Sequence, residues 1–203
     1  MVRTEKGVVI GNTYLKYSTR NPIARFLVDH FIKVLDEMVY SINPEHIHEV
    51  GCGEGELISR YVDGRRRLTA SDFSQEIIRE ARERYKSTDI HFKVSGIYSL
   101  TEEDAADCIL CIEMLEHLED PKRGLRILAD LADPYLIISV PREPIWRFVN
   151  MLRGAYLKDF GNTPGHLQHW SRRDFISLLQ PFFEIVLVRS PFPWTIALCR
   201  RRE

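Results

Sequence analysis

The chain has 203 residues, 44% of them hydrophobic, with 28 Lys and Arg against 29 Asp and Glu and a formal charge of −1. That composition belongs to folded protein, not a disordered chain, and one α/β domain of this length buries a substantial core. The balanced charge excludes a globally basic nucleic-acid binder, so a polyanionic partner needs a local patch.

Along the chain, residues 1–11 lack the long apolar core of a signal peptide. No uninterrupted apolar run approaches the roughly 20 residues that span a bilayer, and the expectation is a soluble, cytoplasmic protein. A helix is predicted from Pro22 to Tyr40, with Asn21 as its cap, Pro22 in its first turn, and Phe26, Leu27, Phe31, Val34, Leu35 and Met38 at helical spacing. Short β-like runs then alternate with helical patterns. The runs are His46 to Val50, Arg67 to Ser71, Ile90 to Val94, Asp107 to Ile112 and Tyr135 to Val140; the clearest helices are Ser74 to Tyr85 and Pro121 to Leu131. Near-continuous apolar strands separated by helices indicate an α/β fold, a parallel sheet covered on both faces. Ser171 opens a further helix, followed by strands at Phe182 to Val188 and Trp194 to Cys199. The link from Arg189 to Pro193 is too short for a parallel crossover, so these two strands should pair antiparallel.

The chain reads as one domain: an N-terminal lid and helix (1–43), a core (44–141), an irregular insertion (142–170) and a C-terminal helix with the strand pair (171–203). Cys52, Cys108, Cys111 and Cys199 form no disulfide framework. Cys108 and Cys111 are spaced C-x-x-C but lie within one apolar run with no second pair, so they read as reduced thiols, and no metal ligands are assigned.

The most informative segment is Glu49-Val50-Gly51-Cys52-Gly53-Glu54-Gly55-Glu56, where a strand enters three alternate glycines and a helix is expected to begin. Glycines here permit a tight turn and a close backbone approach to a ligand. A dinucleotide fingerprint requires glycine at position 56, where this chain has Glu56. Glu49, Glu54 and Glu56 would also meet a pyrophosphate at close range, whereas they welcome a ligand carrying an ammonium and a sulfonium. S-adenosylmethionine fits that description. Asp72, at the end of the second strand, is placed either to accept hydrogen bonds from ribose hydroxyls or to cap the next helix. Phe73 can pack on an adenine or in the core.

With these features in view, the chain resembles the class I S-adenosylmethionine-dependent methyltransferases, of the small-molecule type that includes the ubiquinone and menaquinone enzymes. The residues that carry the resemblance are the glycine loop, Asp72, the segment Cys111-Ile112-Glu113-Met114-Leu115-Glu116-His117-Leu118-Glu119-Asp120-Pro121, the strand from Leu136 into Pro141, and the His-x-x-x-Trp-Ser start at His166. The resemblance implies a Rossmann-like, doubly wound sheet of seven strands, mostly parallel with the last antiparallel. It also implies S-adenosylmethionine as cofactor, with Glu49 near the methionine amino group, Gly51, Cys52, Gly53 and Gly55 lining it, and Asp72 on the ribose. Backbone from Cys111 through Ile112 to Glu113 would face the methionine portion. Many relatives have an Asp after the third strand to contact the adenine amino group; here Gly96 and Ile97 occupy that stretch. Residues 12–21 resemble a cofactor-covering lid, in which Tyr17 or Lys16 either reaches the methionine carboxylate or lies on the surface.

Methyl transfer to a hydroxyl needs a base, and His117 and His166 are the candidate catalytic residues, each with a structural hydrogen-bonding role as its alternative. The insertion combines Ile145, Trp146, Phe148, Val149, Met151 and Leu152 with Arg142, Arg147 and Arg153. It reads as a lid over an apolar or anionic acceptor, as a membrane-surface contact through 145–157, or as a subunit contact in a monomer-or-homodimer protein. The expected function is methyl transfer to a small metabolite, at oxygen before nitrogen or carbon. The rivals are a methyltransferase acting on RNA or protein, for which Arg65-Arg66-Arg67 and Arg200-Arg201-Arg202 supply local charge, and a non-catalytic module that binds the cofactor. No Asn-Pro-Pro-Tyr motif follows the fourth strand, and no nucleic-acid partner is expected.

Overall fold

The computed structural model describes residues 4–5, 8–9, 19, 21–152, 154 and 156–202; Tyr17, Lys16 and Arg153 lie outside them. The strands are β1 (Thr4–Glu5), β2 (Val8–Val9), β3 (His46–Val50), β4 (Arg67–Asp72), β5 (Ile90–Val94), β6 (Ala106–Ile112), β7 (Ala132–Pro141), β8 (Phe183–Arg189) and β9 (Trp194–Arg201). The α-helices are α1 (Pro22–Ile42), α2 (Gln75–Arg84), α3 (Pro121–Leu131), α4 (Ile145–Leu152) and α5 (Arg172–Leu179).

β1 and β2 form a small separate hairpin, and the other seven strands form one sheet in the order β5-β4-β3-β6-β7-β9-β8. β3 pairs in parallel with β4 and β6, β4 with β5, and β6 with β7. β9 runs antiparallel to both its neighbours, β7 and β8. Alternation along the strands divides the core into two layers. Ile47, Leu68, Leu110 and Leu198 face Phe31, Leu35 and Met38 of α1 and Ile78 of α2. Ile109, Leu136, Ile138 and Ala197 face Leu125 and Leu128 of α3 and Phe175 and Leu179 of α5.

The helices start where the sequence supplies an acceptor for the first free N–H groups. Asn21 Oδ1 accepts from Ile23 N at 3.0 Å and Ala24 N at 3.1 Å. Asp120 Oδ1 takes Arg123 N at 3.0 Å ahead of Pro121, and Ser171 Oγ takes Asp174 N at 3.2 Å. For α2 the cap is Ser74, whose Oγ accepts from Ile77 N at 3.2 Å. Capping is therefore not the role of Asp72.

Two stretches differ from expectation. The helix expected after the glycine loop is only a single 3-10 turn, Ile58–Tyr61. The Asp63-Gly64 turn stops it, with Asp63 Oδ1 accepting from Arg65 N at 2.9 Å and Arg66 N at 3.0 Å. The insertion is not irregular throughout, since it holds α4 and a 3-10 turn at Leu157–Asp159.

Candidate functional site

The glycine loop leaves β3 at the carboxyl edge of the sheet, beside the point where strand order reverses between β3 and β6. Open α/β sheets bind ligands at such a switch point. Gly51 N and Cys52 N donate to Ser71 O at 2.8 and 3.0 Å, which pins the loop to β4. Behind it, the buried Glu49 carboxylate accepts from Ile58 N at 2.9 Å and so closes the turn.

Gly51 has φ +77°, and a Cβ there would stand 2.5 Å from Met114 Cγ. The Met114 side chain, on the segment after β6, therefore packs directly on the bare Gly51. Gly53 has φ +52°, and a Cβ there would meet nothing among the described residues within 4 Å. Among the described residues nothing covers its Cβ side, which leaves room for a ligand to approach there.

Asp72 joins this loop to β4. Its Oδ2 accepts from Gly53 N at 3.1 Å and its Oδ1 from Ser74 N at 2.9 Å. Burial pushes its carboxyl above the usual range against those two donors, and the nearby Glu54 and Glu5 charges add to the rise. Phe73 is partly exposed next to Gly96, whose Cβ position lies 3.3 Å from Phe73 Cβ. The Ile97 side chain is buried in the core, as are Cys111 and Ile112, so these three have only backbone to offer a ligand. The Cys52 thiol is also buried, and burial, Glu49 and Asp72 hold it well above its ordinary pKa. None of these thiols is poised as a nucleophile. Glu113 takes a left-handed backbone, φ +52°, and its N–H donates to Ser139 O at 3.1 Å.

The chain then turns through Leu115–His117 and is clasped by the far end of the insertion. Leu167 N and Gln168 N both donate to Glu116 O, at 2.9 and 3.0 Å. His117 Nδ1 lies 2.8 Å from Gly165 O. A carbonyl only accepts, so this nitrogen carries a proton and donates it to Gly165 O. The rings of His117 and His166 meet edge to face, centroids 4.9 Å apart. Trp146 of α4 stacks over His166 at 6.3 Å, and its Nε1 donates to Thr163 Oγ1 at 2.9 Å. Both catalytic candidates are thus brought together although 49 positions separate them. His169 is turned away, with its Nε2 2.7 Å from Asn162 Oδ1. Sequence reasoning gave Glu116 no role, yet its buried carboxylate lies in the same cluster, within 4.8 Å of a ring nitrogen of each histidine.

Residues 47–134 match the model of a methyltransferase domain family, and the seven-stranded sheet with an antiparallel β9 is the one that resemblance to such enzymes implied. Two curated relatives carry the name ubiquinone biosynthesis O-methyltransferase. The one from Xanthomonas axonopodis pv. citri is 32% identical over 90 residues, 42% of this chain and 38% of that protein. The one from Coxiella burnetii is 28% identical over 122 residues, 56% of this chain and 52% of that protein. The chain spans about half the length of these relatives or less. Among solved structures, magnesium protoporphyrin IX methyltransferase from Synechocystis PCC 6803, crystallised with bound S-adenosylhomocysteine, superposes with a TM-score of 0.69 at 19% identity, covering 91% of this chain and 90% of that one.

Proposed function

We propose that this chain transfers the methyl group of S-adenosylmethionine to a hydroxyl of a small, apolar or anionic metabolite. The observation that carries the reading is Gly53, tied to Asp72 at the switch point of the sheet and uncovered on its Cβ side by any described residue. In this reading Gly51, Cys52, Gly53 and Gly55 line the cofactor with backbone, and Glu49 sets negative charge behind the loop. Asp72 receives the ribose hydroxyls. Phe73 lies along the adenine with backbone from Gly96 and Ile97, and Cys111 to Glu113 border the methionine portion. The acidic surroundings suit a sulfonium and an ammonium and oppose a pyrophosphate.

When bound, S-adenosylmethionine supplies an activated methyl group on a good leaving group. The protein's share is then orientation and exclusion of water. His117 and His166, on the turn after β6 and at the end of the insertion, deal with the proton of the acceptor hydroxyl. The names of the curated relatives favour oxygen as the methylated atom.

Calorimetry tests the reading. S-adenosylhomocysteine should bind in the micromolar range and NAD should bind far more weakly. Tight NAD binding without S-adenosylhomocysteine binding would overturn it. A cofactor-binding chain that turns over no hydroxylated acceptor would instead be a sensing module.

A further inference from the structure

We propose that His48 positions the glycine loop through Ser71, so that protonating this one imidazole weakens cofactor binding. The inference rests on the methyl-transfer reading and deepens it, because it names what holds the cofactor loop from behind.

The anchors of the loop converge on two consecutive residues at the end of β4. Ser71 O accepts from Gly51 N at 2.8 Å and from Cys52 N at 3.0 Å, and Asp72 Oδ2 accepts from Gly53 N at 3.1 Å. Ser71 is fully buried, and its Oγ lies 2.9 Å from His48 Nε2 on the neighbouring strand β3. Gly51, Cys52 and Gly53 thus hang from a pair of residues, and His48 grips the first of them.

Hydrogen-bond chemistry dictates how that grip changes with charge. His48 Nδ1 lies 2.8 Å from Asp104 O, which only accepts, so Nδ1 carries a proton in either charge state. His48 is itself fully buried, and burial favours the neutral ring, whose Nε2 accepts the Ser71 hydroxyl hydrogen. An imidazolium carries a second N–H at Nε2, and the bond must then reverse. Ser71 Oγ becomes the acceptor, and its own hydrogen has to find another partner inside the sheet, where an unmatched donor is costly. The hydroxyl turns, and the strand end that holds the three loop amides adjusts with it.

Burial is the main force that holds the His48 pKa below its ordinary 6.5, with smaller help from Lys93 and His91 of β5. The Asp104 carbonyl and carboxylate pull the other way, but that carboxylate already pairs with Lys93 Nζ at 2.6 Å. On the same strand, His46 is lowered chiefly by burial and further by Arg67 and His48. His48 is therefore neutral above its lowered pKa. Binding that needs the neutral ring is strongest above pH 6.5 and is lost progressively as pH falls below it.

Calorimetry of the full chain with S-adenosylhomocysteine, from about pH 7.5 down to about pH 5, reads the effect. The Kd of the parent should rise about threefold or more over this range. His48→Gln keeps an N–H and an oxygen but cannot titrate, so its Kd should rise distinctly less. Ser71→Ala cuts the link between imidazole and strand end and should flatten the profile in the same way. His30→Ala, exposed on α1, should retain the rise of the parent. Circular dichroism at each pH checks that the chains are folded, and Ser71→Ala carries the test if His48→Gln does not fold. A flat profile in the parent, or an equal rise in the two variants, overturns the role of His48 and leaves the methyl-transfer reading standing. Absence of S-adenosylhomocysteine binding even at about pH 7.5 overturns that reading, and this inference with it.

Discussion

Asp72 has two duties that a single substitution separates imperfectly. It holds the amides of Gly53 and Ser74, and in the proposed complex it also receives ribose hydroxyls. Asp72→Ala should weaken S-adenosylhomocysteine binding by about 1.5–3 kcal/mol, the range for hydrogen bonds to a charged group. It should also lower the melting temperature without ligand, because two partly buried amides lose their acceptor. Calorimetry well below the melting point isolates the first effect, and an unchanged affinity there would confine Asp72 to the loop.

His48 makes a different residue-scale prediction. It is fully buried on β3, with Nδ1 2.8 Å from Asp104 O and Nε2 2.9 Å from Ser71 Oγ. Burial is the largest influence and lowers its pKa, only partly countered by the Asp104 carbonyl and carboxylate. His46 is shifted the same way, again chiefly by burial. A histidine held neutral in the fold protonates first in the unfolded chain, near pH 6.5. Its stabilising share is present above that pH and is lost as pH falls below it. Urea midpoints should therefore drop between about pH 6.5 and 5, and less steeply in His48→Gln than in the parent. Equal slopes would assign the loss to other groups.

At the scale of elements, the insertion divides into a wall and a rim. Trp146 belongs to the wall: it tilts against Trp194 at 5.7 Å, stacks over His166 and bonds Thr163. Asn150, buried on the same helix, donates to Gly161 O at 2.8 Å and ties α4 to the segment that carries His166. Phe148 belongs to the rim and is 58% exposed. Trp146→Ala should cost about 2–4 kcal/mol, below or within the range for large buried aromatics, and should disturb the acceptor site. Phe148→Ala should change stability by no more than about 0.5 kcal/mol yet raise the acceptor's KM, with S-adenosylhomocysteine affinity intact. A KM that stays put would remove Phe148 from the acceptor's path.

The elements also show why some features were readable and others not. β3 and β5 stand at the expected residues because their apolar runs are bounded by turns, and α1 because its cap, first-turn Pro22 and 3.6-residue period agree. α4 has apolar residues at six of its eight positions, Ile145, Trp146, Phe148, Val149, Met151 and Leu152, so no face was legible and the stretch read as irregular. The glycine loop announced itself through local chemistry. Glu116 did not, because its significance depends on His166, which only the folded insertion brings near.

For the whole molecule, the sheet order β5-β4-β3-β6-β7-β9-β8 places the glycine loop and the His117–His166 pair at one carboxyl edge. Phe148, Leu152, Leu157, Phe160 and Leu167 are all exposed along the insertion, and a contiguous apolar patch there would mark a binding surface. No helix among the described residues is long and apolar enough to cross a membrane. If the rim serves the acceptor, co-sedimentation with anionic vesicles should be weak and indifferent to Phe160→Ser. Strong sedimentation lost in that variant would reassign the rim to a lipid surface.

β9 is held by β7 on one side and β8 on the other. A ribosome making this chain delivers both neighbours before the strand that joins them. Until residues 194–201 emerge, β7 shows a bare edge to every other nascent chain nearby and β8 has no partner in the sheet. Ribosome-bound chains stalled before Trp194 should therefore recruit chaperones and resist solubilisation, and those stalled well beyond Arg201 should not. The sheet is closed from within, by its latest-made strand.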